Sequence, residues 1–131
     1  MITPENYAKD TEHSHQVAVF MWAGMPEQQQ AYPELKHMFA IPNGGQRNKI
    51  TGANLKAEGV KPGVPDIMLP VAKHPYHGLF IEMKKPKGGV VGDSQAEFIE
   101  QLRLNGYYAA VCTSWAQARD CIIWYMNKEG T

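Results

Sequence analysis

The chain has 131 residues, of which 44% are hydrophobic and 20% charged, and its formal net charge is zero. A chain of this length can bury its own core, so we expect one domain over residues 1–131. The absence of an apolar run of about 18 residues and the polar N-terminal segment MITPENYAKDTEHSH exclude a membrane span and a signal peptide, which predicts a soluble cytoplasmic protein.

The charge is unevenly distributed along the chain. In residues 36–61 the basic side chains are Lys36, Arg47, Lys49, Lys56 and Lys61, whereas Glu58 is the one acidic residue. Zero net charge argues against a protein that coats nucleic acid indiscriminately. The basic middle segment could face a phosphate backbone, or it could be an ordinary solvated surface.

The first predicted element is a helix from Glu12 to Ala23, with Thr11 as its N-cap. One side of this helix carries Val17, Phe20, Met21 and Gly24, and a second stripe carries Glu12, His15, Gln16 and Val19. Because Glu12 and Gln16 are one turn apart, both could face a common site. Glu12 could instead simply complement the helix dipole.

The segment between this helix and residue 61 is predicted to be mostly irregular. Glu27 to Met38 should form only a helical turn or two, and Pro42-Asn43-Gly44-Gly45 is a strong turn signal. A further helix is expected near Ile50 to Glu58, ended by Gly59.

Two short apolar runs, Asp66 to Val71 and Gly78 to Lys84, flank the polar connector Ala72 to His77 and predict a β-hairpin. The start of one antiparallel strand lies beside the end of the next, so Asp66 should face Glu82 or Lys84. Alternation predicts that one side of the hairpin is core and that the other carries charge. The apolar side would hold Ile67, Leu69, Val71, Leu79, Ile81 and Met83, and the charged side Asp66, Met68, Phe80, Glu82 and Lys84.

Asp66 and Glu82 would form a pair of carboxylates that needs a compensating charge. Two such groups about 4 Å apart repel by roughly 4 kcal/mol at an effective dielectric near 20. Their hard oxygen atoms suit Mg²⁺ or Mn²⁺, and Lys84 on the same side could position a water or stabilise charge on a phosphate. The alternative is an ordinary ion pair at a solvated strand edge.

The C-terminal part predicts a strand-to-helix connection, a helix, a strand and a last helix. The helix should run from Gln95 to Asn105 with Asp93 or Ser94 as its N-cap. The strand Tyr107 to Thr113 should then pair in parallel with the second hairpin strand through a right-handed crossover, and a helix from about Trp115 to Asn127 should follow.

The cysteines and histidines do not indicate a structural zinc site. Cys112 and Cys121 fall in an apolar strand and the helix after it, so buried free thiols are more plausible than a disulfide. The histidine pairs His13/His15 and His74/His77 lack a second ligand pair and are interpreted as surface or loop residues.

The segment Lys61-Pro62-Gly63-Val64-Pro65-Asp66, followed by Phe80-Ile81-Glu82-Met83-Lys84 and by Ser94-Gln95 at the start of a helix, resembles the VRR-NUC domain. This domain is the virus-type replication-repair nuclease branch of the PD-(D/E)xK superfamily. The likeness extends from Glu12 through Tyr125 and implies a restriction-endonuclease-like α/β core, a small mixed β-sheet flanked by helices.

The resemblance also implies roles for individual residues. Asp66, Glu82 and the backbone carbonyl of Met83 would hold Mg²⁺ or Mn²⁺, and Glu12 would complete the metal shell. Lys84 would orient or activate the attacking water, and Gln95 would support the site.

Stand-alone domains of this kind look like phage or bacterial proteins that act as dimers on branched DNA. We therefore expect a Mg²⁺- or Mn²⁺-dependent endonuclease, a homodimer that cuts four-way (Holliday) junctions in a bacterial or phage-infected cell. A monomeric flap or single-strand nuclease and a catalytically silent junction-binding module are the alternatives. Candidates for the dimer interface, each of which could instead be core, are Val19, Phe20, Trp22, Met25, Trp115 and Trp124.

Overall fold

The computed structural model describes residues 2–42 and 49–129, without the side chains of residues 49–51. Most of the turn expected after Pro42, and Arg47, lie outside the described residues. In chain order the elements are helices α1 (Pro4–Tyr7), α2 (Glu12–Ala23) and α3 (Pro26–Ala31), a 3₁₀ helix (Pro33–His37), strand β1 (Phe39–Ala40), helix α4 (Lys49–Ala57), strands β2 (Ile67–Leu69) and β3 (Leu79–Met83), helix α5 (Asp93–Leu104), strand β4 (Tyr108–Cys112) and helix α6 (Trp115–Met126).

The four strands form one mixed sheet in the order β1-β2-β3-β4. Strand β2 is antiparallel to both β1 and β3, and β4 is parallel to β3. The predicted hairpin and the predicted parallel connection through α5 are both confirmed. Ile67 lies opposite Ile81, so the same register continued by one residue brings Asp66 opposite Glu82, one of the two partners, Glu82 or Lys84, that the sequence leaves open.

Both faces of the sheet are covered, whereas the sequence predicts one core face and one face that carries charge. The main core packs the sheet against α2 and α6 and includes Ala18, Val19, Trp22, Ile67, Leu79, Ile81, Ala118, Ile122 and Tyr125. On the opposite face Phe80 packs with Ile99 of α5 and Ala109 of β4. The charged residues therefore occupy only the end of that face where β3 finishes.

Helix α2 begins and ends where the sequence predicts, and the Thr11 side chain accepts a hydrogen bond from the Ser14 N–H at 3.1 Å. The side with Val17, Phe20 and Met21 is only half-buried and Gly24 is exposed, whereas Ala18, Val19, Trp22 and Ala23 are buried. Apolar residues occur almost all around this helix, so spacing alone could not identify the buried side.

His15 is buried, which corrects its interpretation as a surface residue. Its Nδ1 accepts a hydrogen bond from the Trp115 N–H at 2.9 Å, so its Nε2 carries the hydrogen and donates to the Lys9 carbonyl at 2.7 Å. His15 thereby connects the segment before α2 to the start of α6. The other members of the two pairs, His13, His74 and His77, are exposed.

Cys112 and Cys121 are free thiols, as predicted, but only Cys112 is buried and Cys121 is half-buried. Among the proposed interface residues, Val19, Trp22 and Trp115 belong to the core, whereas Trp124 is 46% exposed. No helix within residues 2–42 and 49–129 is long and apolar enough to cross a membrane.

Candidate active site

The site lies at the end of the sheet where β2 begins and β3 finishes. Asp66 directly precedes β2, Glu82 is in β3 and Lys84 directly follows β3. Gln95 is the third residue of α5, because Gly92 rather than Asp93 or Ser94 is the N-cap. The structure therefore brings four of the predicted site residues together from three separate elements.

Gly63 lets the chain before Asp66 approach α5. Its φ of +89° lies in the left-handed region, and a Cβ at this position would overlap the backbone carbonyl of Ser94. Only glycine fits both demands without strain. The Gly-Val-Pro-Asp segment is thus held against the first turn of the helix that carries Gln95.

The Gln95 side chain connects the charged residues of the site. Its Nε2 donates a hydrogen bond to Glu82 Oε2 at 2.9 Å, and its Oε1 accepts from Lys84 Nζ and from the Gly92 N–H, each at 2.8 Å. Lys84 Nζ also lies 3.2 Å from Glu82 Oε2. The lysine, the glutamate and the helix N-terminus are fixed relative to one another by one amide.

Glu82 is only 2% exposed, and only one of its two carboxylate oxygens has hydrogen-bond partners among the described residues. Oε2 receives the hydrogen bonds from Gln95 and Lys84, while the buried Oε1 has no hydrogen-bond partner among the described residues. Burial, followed by the nearby charge of Asp66, raises the pKa of Glu82 to about 7. A buried carboxylate oxygen without a partner is costly and indicates that a ligand or proton belongs there.

Asp66 faces the same space from the other strand. Its Oδ2 accepts a hydrogen bond from the Met83 N–H at 2.7 Å. Burial raises the pKa of Asp66; the Met83 hydrogen bond opposes this shift, and the charge of Glu12 adds to it. Because the N–H and C=O of one strand residue point to the same side, the Met83 carbonyl should lie on the β2 side of β3 as well.

Glu12 stands apart from the other predicted ligands. It is exposed at the start of α2, and its negative charge contributes to the raised pKa of Asp66. Within the part of the chain that is described, no three His, Cys, Asp or Glu residues are grouped closely enough to hold a metal ion. The oxygen groups that could hold a metal ion are therefore the two carboxylates and one backbone carbonyl. Such a small oxygen set fits Mg²⁺, which commonly uses one or two carboxylates and completes its shell with waters and substrate phosphates.

Several contacts of the site were not predictable from the sequence. The Met83 and Gly92 backbone N–H groups have no side-chain signature, and they act only because the register and the helix start bring them to Asp66 and Gln95. The Pro62-Gly63 pair was a recognisable turn signal, although its contact with α5 was not.

Comparisons with known proteins agree with this geometry. The VRR-NUC domain model matches residues 4–116. A solved structure described as a "VRR_NUC domain protein" is 28% identical, with a TM-score of 0.79 over 94% of this chain and 93% of that chain. No curated protein sequence matches. The predicted PD-(D/E)xK-type fold is confirmed, and the chain belongs to the VRR-NUC family of nuclease domains.

Proposed function

We propose that the protein is a metal-dependent DNA endonuclease whose active site consists of Asp66, Glu82, Lys84 and Gln95, with the Met83 carbonyl. The observation that carries this proposal is the unpartnered Glu82 Oε1, buried beside Asp66. The buried carboxylate of Glu82 and the half-buried carboxylate of Asp66, whose pKa values are both raised, are poorly stabilised by the protein alone. A divalent cation between them would remove the repulsion.

Asp66, Glu82 and the Met83 carbonyl would hold Mg²⁺ or Mn²⁺. The bound ion would polarise the scissile phosphate and make water a better nucleophile near neutral pH. Glu12 would contribute from the rim, through a water molecule rather than directly, because it is exposed and forms no close group with the other two carboxylates.

Lys84 is held where it can act on the reacting groups. An ammonium has three hydrogens to donate, and the contacts to Gln95 Oε1 and Glu82 Oε2 use two of them. The third remains for the attacking water or for a phosphate oxygen on which negative charge develops. Gln95 acts as a positioning residue, because its hydrogen bonds fix Lys84 and Glu82 relative to each other.

We further propose that the substrate is a four-way DNA junction and that the protein acts on it as a homodimer. Each chain supplies one site, whereas junction resolution needs two incisions related by two-fold symmetry, which a two-fold dimer provides. The zero net charge supports recognition of DNA shape over indiscriminate duplex binding.

The test is cleavage of a labelled four-way junction, a flap, a single strand and a linear duplex, each with Mg²⁺, Mn²⁺ or excess chelator. We expect the wild-type protein to cut the junction by paired, symmetric incisions that chelator abolishes. Glu82→Gln should lose at least about 100-fold in rate, the loss expected for a metal-binding carboxylate, while its matched control Glu100→Gln, an exposed acid on α5, cuts normally.

The outcomes separate the alternatives. Cleavage in excess chelator, or by Glu82→Gln at the normal rate, would sink the site assignment. A preference for the flap or the single strand would replace the junction as substrate. Junction binding by the wild-type protein without cleavage under any metal condition would identify a silent binding module instead.

A further inference from the structure

The loop of residues 85–92 joins β3 to α5 and has both ends fixed at the candidate active site. It leaves the sheet immediately after Lys84, and at its other end the Gly92 N–H donates to Gln95 Oε1 at 2.8 Å. The Lys84 side chain donates to the same Gln95 oxygen. Any group bound by this loop is therefore held at a fixed position relative to Lys84 and Glu82.

The main chain of the loop folds back over Lys84. A Cβ at Gly89 would lie 2.8 Å from Lys84 Cβ and 3.0 Å from the Lys85 carbonyl, so a larger residue would not fit there without movement. Gly88, with a φ of +78°, forms the turn that makes this approach possible. Lys84 is consequently only 7% exposed, and the loop forms the rim of the site above it.

The outer surface of this rim is cationic. Lys85 and Lys87 are both exposed, and within the described residues neither forms an ion pair with a carboxylate. The one buried lysine of the site, Lys84, is by contrast engaged by Glu82 and Gln95. Two unengaged ammonium groups beside a phosphodiester-cleaving site suit an anion that extends beyond the scissile group, namely the adjoining phosphates of the same DNA.

We propose that the loop of residues 85–92 is a phosphate-binding rim, in which Lys85 and Lys87 hold the DNA backbone next to the scissile phosphate. The inference rests on the proposed nuclease function. It assigns to these two lysines a positioning role in substrate binding, separate from the chemistry carried out by Asp66, Glu82 and Lys84.

The test measures DNA binding without cleavage. A Glu82→Gln parent would be titrated with labelled four-way junction and duplex by fluorescence anisotropy at several KCl concentrations. The loop variant adds Lys85→Gln and Lys87→Gln to this parent. The matched control adds Lys36→Gln and Lys73→Gln, which remove two positive charges at the opposite end of the sheet: Lys36 lies just before β1, and Lys73 lies in the connector between β2 and β3.

Each lost phosphate contact should reduce the slope of log K against log salt by about 0.9. We expect the loop variant to bind about 10-fold or more weakly and to lower this slope by about 1 to 2, whereas the control variant matches the parent. A parent that binds DNA, together with a loop variant of unchanged affinity and slope, would overturn the inference and leave the nuclease proposal standing. A parent that binds neither DNA would count against the proposed function itself and remove the inference with it.

Discussion

Gln95 shows why an uncharged amide suits the centre of this site. It donates to Glu82 with one end and accepts from Lys84 and Gly92 with the other, which neither a carboxylate nor an apolar side chain can do. A glutamate there would repel Glu82, and a leucine would remove the acceptor of the buried Lys84 ammonium and of the Gly92 N–H. An amide suits this position because one of its partners accepts a hydrogen bond and the other two donate one.

We therefore predict that Gln95→Glu damages cleavage more than it damages the fold. The new carboxylate would stand about where Gln95 Nε2 now lies, 2.9 Å from Glu82 Oε2, and would raise the pKa of Glu82 further. Metal-dependent cleavage should fall and its pH profile should move to higher pH. Gln101→Glu, an exposed change on the same helix, is the control. An unshifted profile with full activity would show that Gln95 does not position the charged residues.

The raised pKa of Glu82 also predicts how the metal-free protein responds to pH. Folding raises this pKa from 4.5 to about 7, so between these values the folded protein holds a proton that the unfolded chain has lost. The free energy of unfolding should then fall as pH rises through this interval, by on the order of 1 to 3 kcal/mol, and level off above it. Asp66, whose pKa is also raised, acts in the same direction.

Urea unfolding in chelator from pH 5 to pH 8.5 would measure this dependence. Glu82→Gln, which cannot ionise, should show a flatter curve and be the more stable protein at high pH. The two curves would run parallel if Glu82 did not carry the effect. Added Mn²⁺ should reverse the trend for the wild-type protein, because ionised Glu82 binds the cation.

At the scale of the elements, the sequence was informative wherever a local signal decided the outcome. Thr11 identified the start of α2, and the antiparallel hairpin limited the partner of Asp66 to Glu82 or Lys84, of which the observed register selects Glu82. The sequence was uninformative where tertiary packing decides the structure. Contact with the sheet determines which side of α2 is buried, and the N-cap position of Gly92 before α5 depends on the Gln95 side chain, which accepts a hydrogen bond from the Gly92 N–H.

Two short elements were not predicted for the same reason. Helix α1 has four residues and strand β1 has two, too few for a periodic pattern. Strand β1 exists because it pairs with β2, through Phe39 opposite Met68 and Ala40 opposite Ile67. Its stability comes from that partner rather than from its own sequence.

The contact between the Gly63 segment and α5 predicts an unusually costly glycine replacement. Gly63→Ala combines a left-handed φ, which costs about 1 to 2 kcal/mol, with overlap against the Ser94 carbonyl, so we expect a loss above about 2 kcal/mol. Gly59→Ala is the control, because Gly59 has a φ of +104° with nothing within 4 Å of the added Cβ. This replacement should cost only the free energy of the left-handed φ. Urea unfolding compares them, and equal losses would mean that the approach to α5 is unimportant.

The candidate active site and the most exposed tryptophan lie at opposite ends of the sheet. The candidate site is at the Met83 end of β3, whereas the Trp124 ring of α6 contacts the ring of Tyr108, the first residue of β4, with 4.9 Å between the ring centroids. Lys128 lies over the same tryptophan ring at 4.9 Å. A partner bound at Trp124 would leave the active site open to DNA.

This arrangement leads to the prediction that Trp124 contributes to a homodimer. A large aromatic side chain that is 46% exposed is unfavourable in water and is the kind of residue that dominates interfaces. Light scattering at micromolar concentration should give twice the chain mass of 14.7 kDa. Trp124→Gln should shift the mass toward the monomer, while Arg119→Gln, another change on α6, should not.

Two active sites facing away from a shared interface could each reach one strand of a junction, so the Trp124 variant should also convert paired incisions into single nicks. A wild-type monomer that still cuts junctions in pairs would refute the dimer, and a dimer unaffected by Trp124→Gln would place its interface elsewhere.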